Sequence, residues 1–195
     1  MWLKHASNVP QCAAKMEAMF LQAGLMAGAF QNLYPTHAQL AKIIADPRVR
    51  GVALTGSESA GAIVAAQAGA AVKKCTLELG GADAFIVLND ADIEKAAKWA
   101  VFGRHWNAGQ VCVSAKRIIV EDGVYDRFLS LYRQGVQQLR MGDPMDAATT
   151  LAPLSSRSAV TGLQQQLDEA VKLGAHAEEI PLDMPAQGCS SGRFF

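Results

Sequence analysis

The sequence predicts an α/β protein with a mostly parallel sheet. Two observations carry this. Stretches with helical period alternate with short apolar runs along the chain, the pattern of strand–helix–strand units. Of those runs, VRGVALTG reads as a buried strand and CTLELGG as a strand that ends in two glycines. Half of the 195 residues are hydrophobic, so a sizeable core can form.

Each element follows from its own residues. Residues 8–23 place Val9, Cys12, Ala13, Met16, Met19, Phe20 and Ala23 at three-and-four spacing. That predicts an amphipathic helix with Asn8 as N-cap and Gly24 as its stop. AFQNLY predicts a short strand. THAQLAKIIADP predicts a second helix, capped by Thr36 and ended before Pro47. VRGVALTG is a strand that turns at Gly56, and SESAGAIVAAQAGAAV is small, apolar and helical. CTLELGG is a strand closing on two glycines, and FIVLND is another. DIEKAAKWAVFGRHW predicts a helix, RIIVED a strand, and VYDRFLSLYRQGVQQL a further helix. MGDPMD is a turn, and the last helix covers Ser158 to Leu173. From Ala177 the chain is rich in Pro, Gly and Ser without period, and reads as an irregular or disordered tail over 177–195.

Charge and composition exclude several classes. Lys and Arg number 18, as do Asp and Glu, so the net charge is zero. No basic stripe is present, which argues against nucleic acid as a partner. No run of 18 apolar residues could span a membrane. The start, MWLKHASN, lacks a secretory leader's apolar stretch. Cys12, Cys75, Cys112 and Cys189 form no CxxC pair, and His5, His37, His105 and His176 do not cluster with them. No zinc site and no disulfide framework is expected. A reducing cytoplasm is the expected compartment.

Three strand-end segments can carry chemistry. In LTGSESAG a strand runs into Gly56-Ser57 and a helix begins. Helix N-terminal amides suit a phosphate, and Gly56 lets a ligand approach the backbone. The same residues would also make an ordinary turn with Ser57 as N-cap. The segment is not the GxGxxG fingerprint. In LELGG, Glu78 sits in an otherwise apolar strand. Burial would raise its pKa and suit it to general-base work, whereas strand alternation would turn it to solvent. Both readings stay open. In NAGQVCVSAKR, Cys112 is either a small apolar filler or a nucleophile. The chain passes from helix to extended form there, which leaves the Cys112 amide free to stabilise an oxyanion.

TGS before a helix, then LELGG, then N-x-GQ-x-C, with 34 positions between Glu78 and Cys112, resembles the aldehyde dehydrogenase superfamily. The likeness runs from about Leu3 to about Ala175. KKCTLELGGADAFIVLNDADIEKA and MGDP look closest to its succinate-semialdehyde dehydrogenase branch. The resemblance implies part of a Rossmann-type cofactor domain over 1–79. It implies the first part of an α/β catalytic domain over 80–176, followed by a tail unlike the family's continuation.

It also implies that Cys112 attacks the aldehyde, forming a thiohemiacetal and then a thioester, with Glu78 activating the hydrolytic water. Gly56 and Ser57 match the pyrophosphate contact, and Leu79 and Gly80 lie near the nicotinamide. Lys4 matches the lysine on the adenosine ribose. Ser7 stands where Glu often favours NAD, so NADP as well as NAD is expected as cofactor. The partner is a small-molecule aldehyde, and full-length relatives are expected to be homo-oligomers. Family members are well over twice this length. Their aldehyde-binding Asn (W-N-x-P) and ribose-gripping Glu (E-x-F-G-P) lie outside this chain. That raises a second expectation, a truncated remnant that at most binds nucleotide or joins an intact subunit. Trp106 stands where the branch often carries a carboxylate-binding Arg. A thiol enzyme of another kind would need a base such as His105, which its position on the preceding helix marks as a surface residue.

Overall fold

The computed structural model describes residues 1–183. Two compact units divide the chain between Leu79 and Gly80. In the first, β1 (Trp2–Lys4), α1 (Pro10–Gln22), β2 (Gln31–Leu33), α2 (His37–Ala45), β3 (Gly51–Thr55), α3 (Glu58–Ala70) and β4 (Lys74–Glu78) follow in order. In the second come β5 (Ala84–Val87), α4 (Ile93–His105), a 3₁₀ turn (Trp106–Gly109), β6 (Arg117–Val120), α5 (Asp122–Gln137) and α6 (Arg157–Lys172).

The strands pair in parallel, as an α/β chain requires, but not in one continuous sheet. Among the described residues β1 pairs with β2, β3 with β4 and β5 with β6, as three two-stranded sheets. Each parallel step is made through a crossover that contains a helix. Alternation in sequence specifies that crossover, and it does not specify how many pairs join edge to edge.

Two small cores result. In the first unit Ile44, Val64 and Ala68 are buried, with Leu40, Val52, Leu54 and Cys75 packed on them. The helical period of α3 puts Gly61, Val64 and Ala68 on its one buried face. In the second unit Val87, Ile93, Ala97, Ala100, Val101, Phe128, Tyr132, Val136 and Ile180 form the core. Ile180 belongs to the stretch expected to be irregular. Residues 177–183 do lack helix and strand, yet this part of the tail is packed by Ile180 and by the Arg133–Glu178 ion pair. The rest of that tail, with Cys189, lies outside the described residues.

Three details differ from the sequence reading. β1 has no counterpart in it, because three residues cannot display a period. α1 starts at Pro10 with Val9 as N-cap, and no side chain caps it. Proline's fixed φ and missing N–H suit the first helical position, so Pro10 rather than Asn8 sets the start. The apolar stripe of α1 is also not a core face. Of its residues only Ala13 is buried, while Met16, Met19 and Phe20 are exposed.

Helix ends follow local chemistry. Thr36 caps α2 through a capping box with Gln39. The Lys73 ammonium donates to the Ile44 and Asp46 carbonyls at the other end of α2, where a cation also offsets the helix dipole. α1, α3 and α6 end in the same paired bonds. Leu25 N donates to Phe20 O, Lys73 N to Ala68 O and Ala175 N to Ala170 O, beside a second, shorter-range bond in each case. This closure needs a left-handed residue. Gly24 and Gly174 supply it at φ 88° and 100°, but α3 uses Val72 at φ 52°. Val72 is 93% exposed, so no packing repays the strain. Left-handed backbone costs a side-chain-bearing residue roughly 1–2 kcal/mol, and glycine loses about 0.5–1 kcal/mol in chain entropy. Val72→Gly is therefore expected to stabilise the fold by about 0.5–1 kcal/mol. A rise in the urea midpoint at unchanged m-value checks this; a fall would place the strain elsewhere.

Candidate active site

In the first unit the candidate residues sit at or just beyond the C-terminal ends of parallel strands, where α/β sheets bind ligands. Lys4 closes β1, opposite Leu33 of β2. Ser7 occupies the turn closed by Val9 N donating to Ala6 O at 3.1 Å. Both are exposed. Thr55 pairs with Glu78 at the end of the β3–β4 ladder. Gly56 N then donates to Glu78 O at 3.0 Å, extending the ladder by one bond. Ser57 Oγ accepts from Ala60 N and caps α3. The reading of Ser57 as N-cap thus holds, and it leaves other first-turn amides of α3 directed outward.

Gly61 is buried against Leu79. A Cβ there would lie 2.7 Å from Leu79 Cδ2, so the leucine side chain packs directly on the backbone of α3 and would have to move to admit one. Glu78 is exposed. Strand alternation, turning Cys75 and Leu77 to the less exposed side, decides between the two readings left open for this carboxylate.

The second unit holds Gly80 and Cys112. α4 ends at His105, and the chain then turns sharply. Asn107 and Ala108 have φ near 52° and 54°, and Gly109 follows at φ 73°. A Cβ on Gly109 would lie 2.8 Å from the Arg104 carbonyl oxygen. Both sterics and φ therefore demand glycine at this position. Gln110 holds the turn from both sides. Its Nε2 donates to Asn107 O at 3.0 Å, and its Oε1 accepts from Ser155 N at 2.9 Å.

Cys112 follows in a further turn closed by Ser114 N donating to Val111 O at 3.0 Å. Its side chain is exposed, so it is not a core filler. Among the described residues its amide donates to no protein acceptor. Lys116 Nζ donates to the carbonyls of Val111 and Cys112 at 2.7 and 2.9 Å. A Cβ on Gly81 would stand 3.4 Å from the Cys112 carbonyl, so the two-glycine turn and the cysteine turn are neighbours.

His105 corrects an expectation. It is 7% exposed, not a surface residue. It continues the buried face of Ala97, Ala100 and Val101 on α4. Its Nε2 shares a hydrogen bond with Tyr132 Oη at 3.1 Å. Burial, and then the Arg104 charge, lower its pKa from 6.5 to about 4, and burial raises that of Tyr132 to about 12. This histidine belongs to the core beneath the turn. Sequence reasoning marked Gln110 within GQVC and weighed His105 as a base, but it missed the burial of His105 and the place of Lys116.

A cavity of about 810 Å³, lined by Gln137, Gln138, Arg140, Met141 and Leu182 among others, includes none of the candidate residues. Its lining has neither the thiol nor the start of α3. Among the described residues no group of three or more His, Cys, Asp or Glu is placed to hold a metal ion, and no helix is long and apolar enough to cross a membrane.

An uncommitted amide beside an exposed thiol suits attack on a carbonyl, and a capped helix start after a strand suits an anionic group. The model of the aldehyde dehydrogenase family matches residues 1–195. The NADP(+) succinate-semialdehyde dehydrogenase of Deinococcus radiodurans is 47% identical over 173 residues, which cover 89% of this chain and 36% of that protein. The Escherichia coli succinate semialdehyde dehydrogenase [NAD(P)+] is 44% identical over 173 residues, covering 89% and 37%. The crystal structure of succinic semialdehyde dehydrogenase from Streptococcus pyogenes in complex with NADP+ superposes with a TM-score of 0.89 at 47% identity, covering 100% of this chain and 42% of that one. The chain thus spans about two fifths of the length of these relatives, and it belongs to the aldehyde dehydrogenase family.

Proposed function

We propose that this chain carries the nucleophile and part of the cofactor site for NAD(P)-dependent oxidation of a small aldehyde to its acid, with succinate semialdehyde as the substrate class. The observation that carries this is the cysteine turn: an exposed thiol on a residue whose own amide is uncommitted. The substrate class rests on the likeness to relatives named for succinate semialdehyde. Trp106 offers no bidentate partner for a substrate carboxylate. The three described thiols are free, which suits a reducing cytoplasm.

In this reading the Cys112 thiolate attacks the aldehyde carbon, and the carbonyl π pair moves to oxygen to give a thiohemiacetal. The Cys112 N–H donates to that oxygen as its charge grows. A bound nicotinamide dinucleotide supplies the hydride acceptor. The residues present fit such a group. The outward amides at the start of α3, with Gly56 and Ser57, take the pyrophosphate. Lys4 would hold the adenosine ribose, and Leu79 and Gly80 would lie beside the nicotinamide. Oxidation of the thiohemiacetal carbon leaves a thioester on Cys112. Glu78 takes a proton from the water that hydrolyses it. Residues 1–79 are then the cofactor-binding part and 80–176 the start of the catalytic part.

A second reading, favoured by the exposure of both Cys112 and Glu78, is that turnover by this chain is slow. Water at both groups weakens every electrostatic contact the reaction needs. Stopped-flow formation of NADPH from NADP and succinate semialdehyde tests both. A single-turnover signal lost in Cys112→Ser supports the chemistry. Steady-state turnover near about one per second favours the first reading alone, and trace turnover the second. Absence of any Cys112-dependent NADPH would sink the first reading and favour a truncated remnant that at most binds nucleotide or joins an intact subunit.

The cofactor assignment makes a separate prediction. Ser7→Glu is expected to weaken NADP binding about tenfold or more, roughly 1.4 kcal/mol, by repulsion of the 2′-phosphate. NAD binding should not weaken. Calorimetry with both cofactors checks this, and unchanged NADP affinity would remove Ser7 from the ribose site.

A further inference from the structure

Lys116 is not accounted for by the proposed chemistry, yet its ammonium makes two of the hydrogen bonds that shape the cysteine turn. Nζ donates to Val111 O at 2.7 Å and to Cys112 O at 2.9 Å. The base of this side chain is itself anchored. Lys116 N donates to Asp83 O at 3.3 Å, Arg117 N to the same oxygen at 3.4 Å, and Arg117 Nε to Ala82 O at 2.8 Å. The cation therefore stands on the segment that follows the two glycines and reaches back over the turn.

One peptide plane links it to the thiol's own amide. The Val111 carbonyl and the Cys112 N–H belong to the same peptide unit, which is planar and trans. In a trans peptide the C=O and the N–H point in opposite directions. An ammonium that holds Val111 O therefore fixes the direction of the Cys112 N–H and keeps it away from the cation. The second bond, to Cys112 O, fixes the next peptide plane and with it the Cα from which the thiol projects. Two consecutive carbonyls on one cation leave the turn little freedom about φ and ψ of Cys112.

We propose that Lys116 is a positioning residue: it aims the Cys112 amide at the oxygen of the group that the thiol attacks. This rests on the reading of Cys112 as nucleophile. Lys116 itself touches no substrate.

The test separates aiming from mere folding by using two reagents on the same thiol. With p-nitrophenyl acetate the Cys112 sulfur bonds to the acetyl carbon, p-nitrophenolate leaves, and the oxygen carries charge on the way. With iodoacetamide the sulfur displaces iodide from a saturated carbon, and no oxyanion forms. Lys116→Met is expected to slow acetylation of Cys112 about tenfold or more and to leave alkylation within about twofold. Lys116→Arg, whose guanidinium can reach both carbonyls, should restore acetylation to within about threefold. Hydrogen exchange at the Ser114 amide, bonded to Val111 O, should quicken about tenfold in Lys116→Met.

Unchanged acetylation in Lys116→Met overturns the proposal. So does an equal loss with both reagents that arginine does not restore. If the unaltered chain is not acetylated at Cys112, the nucleophile reading fails instead. Hydrogen exchange then decides the clamp alone, and an unchanged Ser114 rate overturns it.

Discussion

Cys112→Ala is expected to abolish covalent acetylation of this chain by p-nitrophenyl acetate, with a loss of about a hundredfold or more in the initial release of p-nitrophenolate. Cys12→Ala should leave that release intact. The comparison is demanding because exposure does not separate the two thiols. Cys12 on α1 is exposed, as Cys112 is, and among the described cysteines only Cys75 is partly covered. What distinguishes Cys112 is its surroundings. An acyl acceptor must stabilise charge on the carbonyl oxygen, and a donor aimed at that oxygen contributes about two to three decades of rate. Cys112 has its own amide uncommitted in a turn held by Gln110 and Lys116. Cys12, in the uncapped first turn of α1, also has an amide without an intrahelical partner, so the turn held by Gln110 and Lys116 is what sets Cys112 apart. Intact-mass and peptide mass spectrometry locate the acetyl group. Release that persists in Cys112→Ala, or that disappears in Cys12→Ala, would remove the nucleophile assignment.

Much of the architecture was legible because local rules and tertiary context agree. Thr36 and Gln39 form a capping box that the sequence displays openly, and Gly24 takes the left-handed position assigned to it. Glycine and capping residues act within a few positions, so they can be read without knowing the fold. Burial cannot be read in the same way. The stripe on α1 has helical period, but little covers it, and Met19 stays exposed. His105 shows the reverse. A polar residue at the end of a helix suggests solvent, yet its place on the Ala97–Val101 face carries it into the core.

The site divides along the same line. LELGG and GQVC marked the segments, because the two together, with 34 positions between Glu78 and Cys112, resemble the motifs of the aldehyde dehydrogenase family. The geometry that prepares Cys112 was not legible. Asn107 and Ala108 adopt left-handed backbone without glycine, at a cost of about 1–2 kcal/mol each, and no composition signal announces it. Lys116 reads as an ordinary surface lysine, since only the folded turn brings two carbonyls to its ammonium.

Acid should weaken the support beneath that turn, and His105 is the group responsible. Its pKa is about 4 in the folded chain, against 6.5 for the free side chain, through burial and then the nearby Arg104 charge. The sign follows from proton counting. Between pH 6.5 and about 4 the unfolded chain binds a proton at this residue and the folded chain does not. The contribution of neutral His105 is thus complete above pH 6.5 and is lost as pH falls toward 4. At about 1.4 kcal/mol per pKa unit, lowering pH from 7 to 5 should cost about 2 kcal/mol from this residue. Tyr132, at about 12, does not titrate in this window. Asp46, Glu94 and Glu178 also have lowered pKa values, through hydrogen bonds to the Arg48 guanidinium, to the Glu94 amide with Arg127, and to Arg133 respectively. Their acid losses are common to any His105 variant. His105→Gln keeps a hydrogen-bonding group toward Tyr132 and removes the titration. Urea unfolding at pH 7 and pH 5 should therefore show the unaltered chain losing about 2 kcal/mol more than His105→Gln. Equal losses would mean that His105 titrates normally and that the end of α4, from which the cysteine turn departs, is more open to water than the 3.1 Å bond to Tyr132 implies.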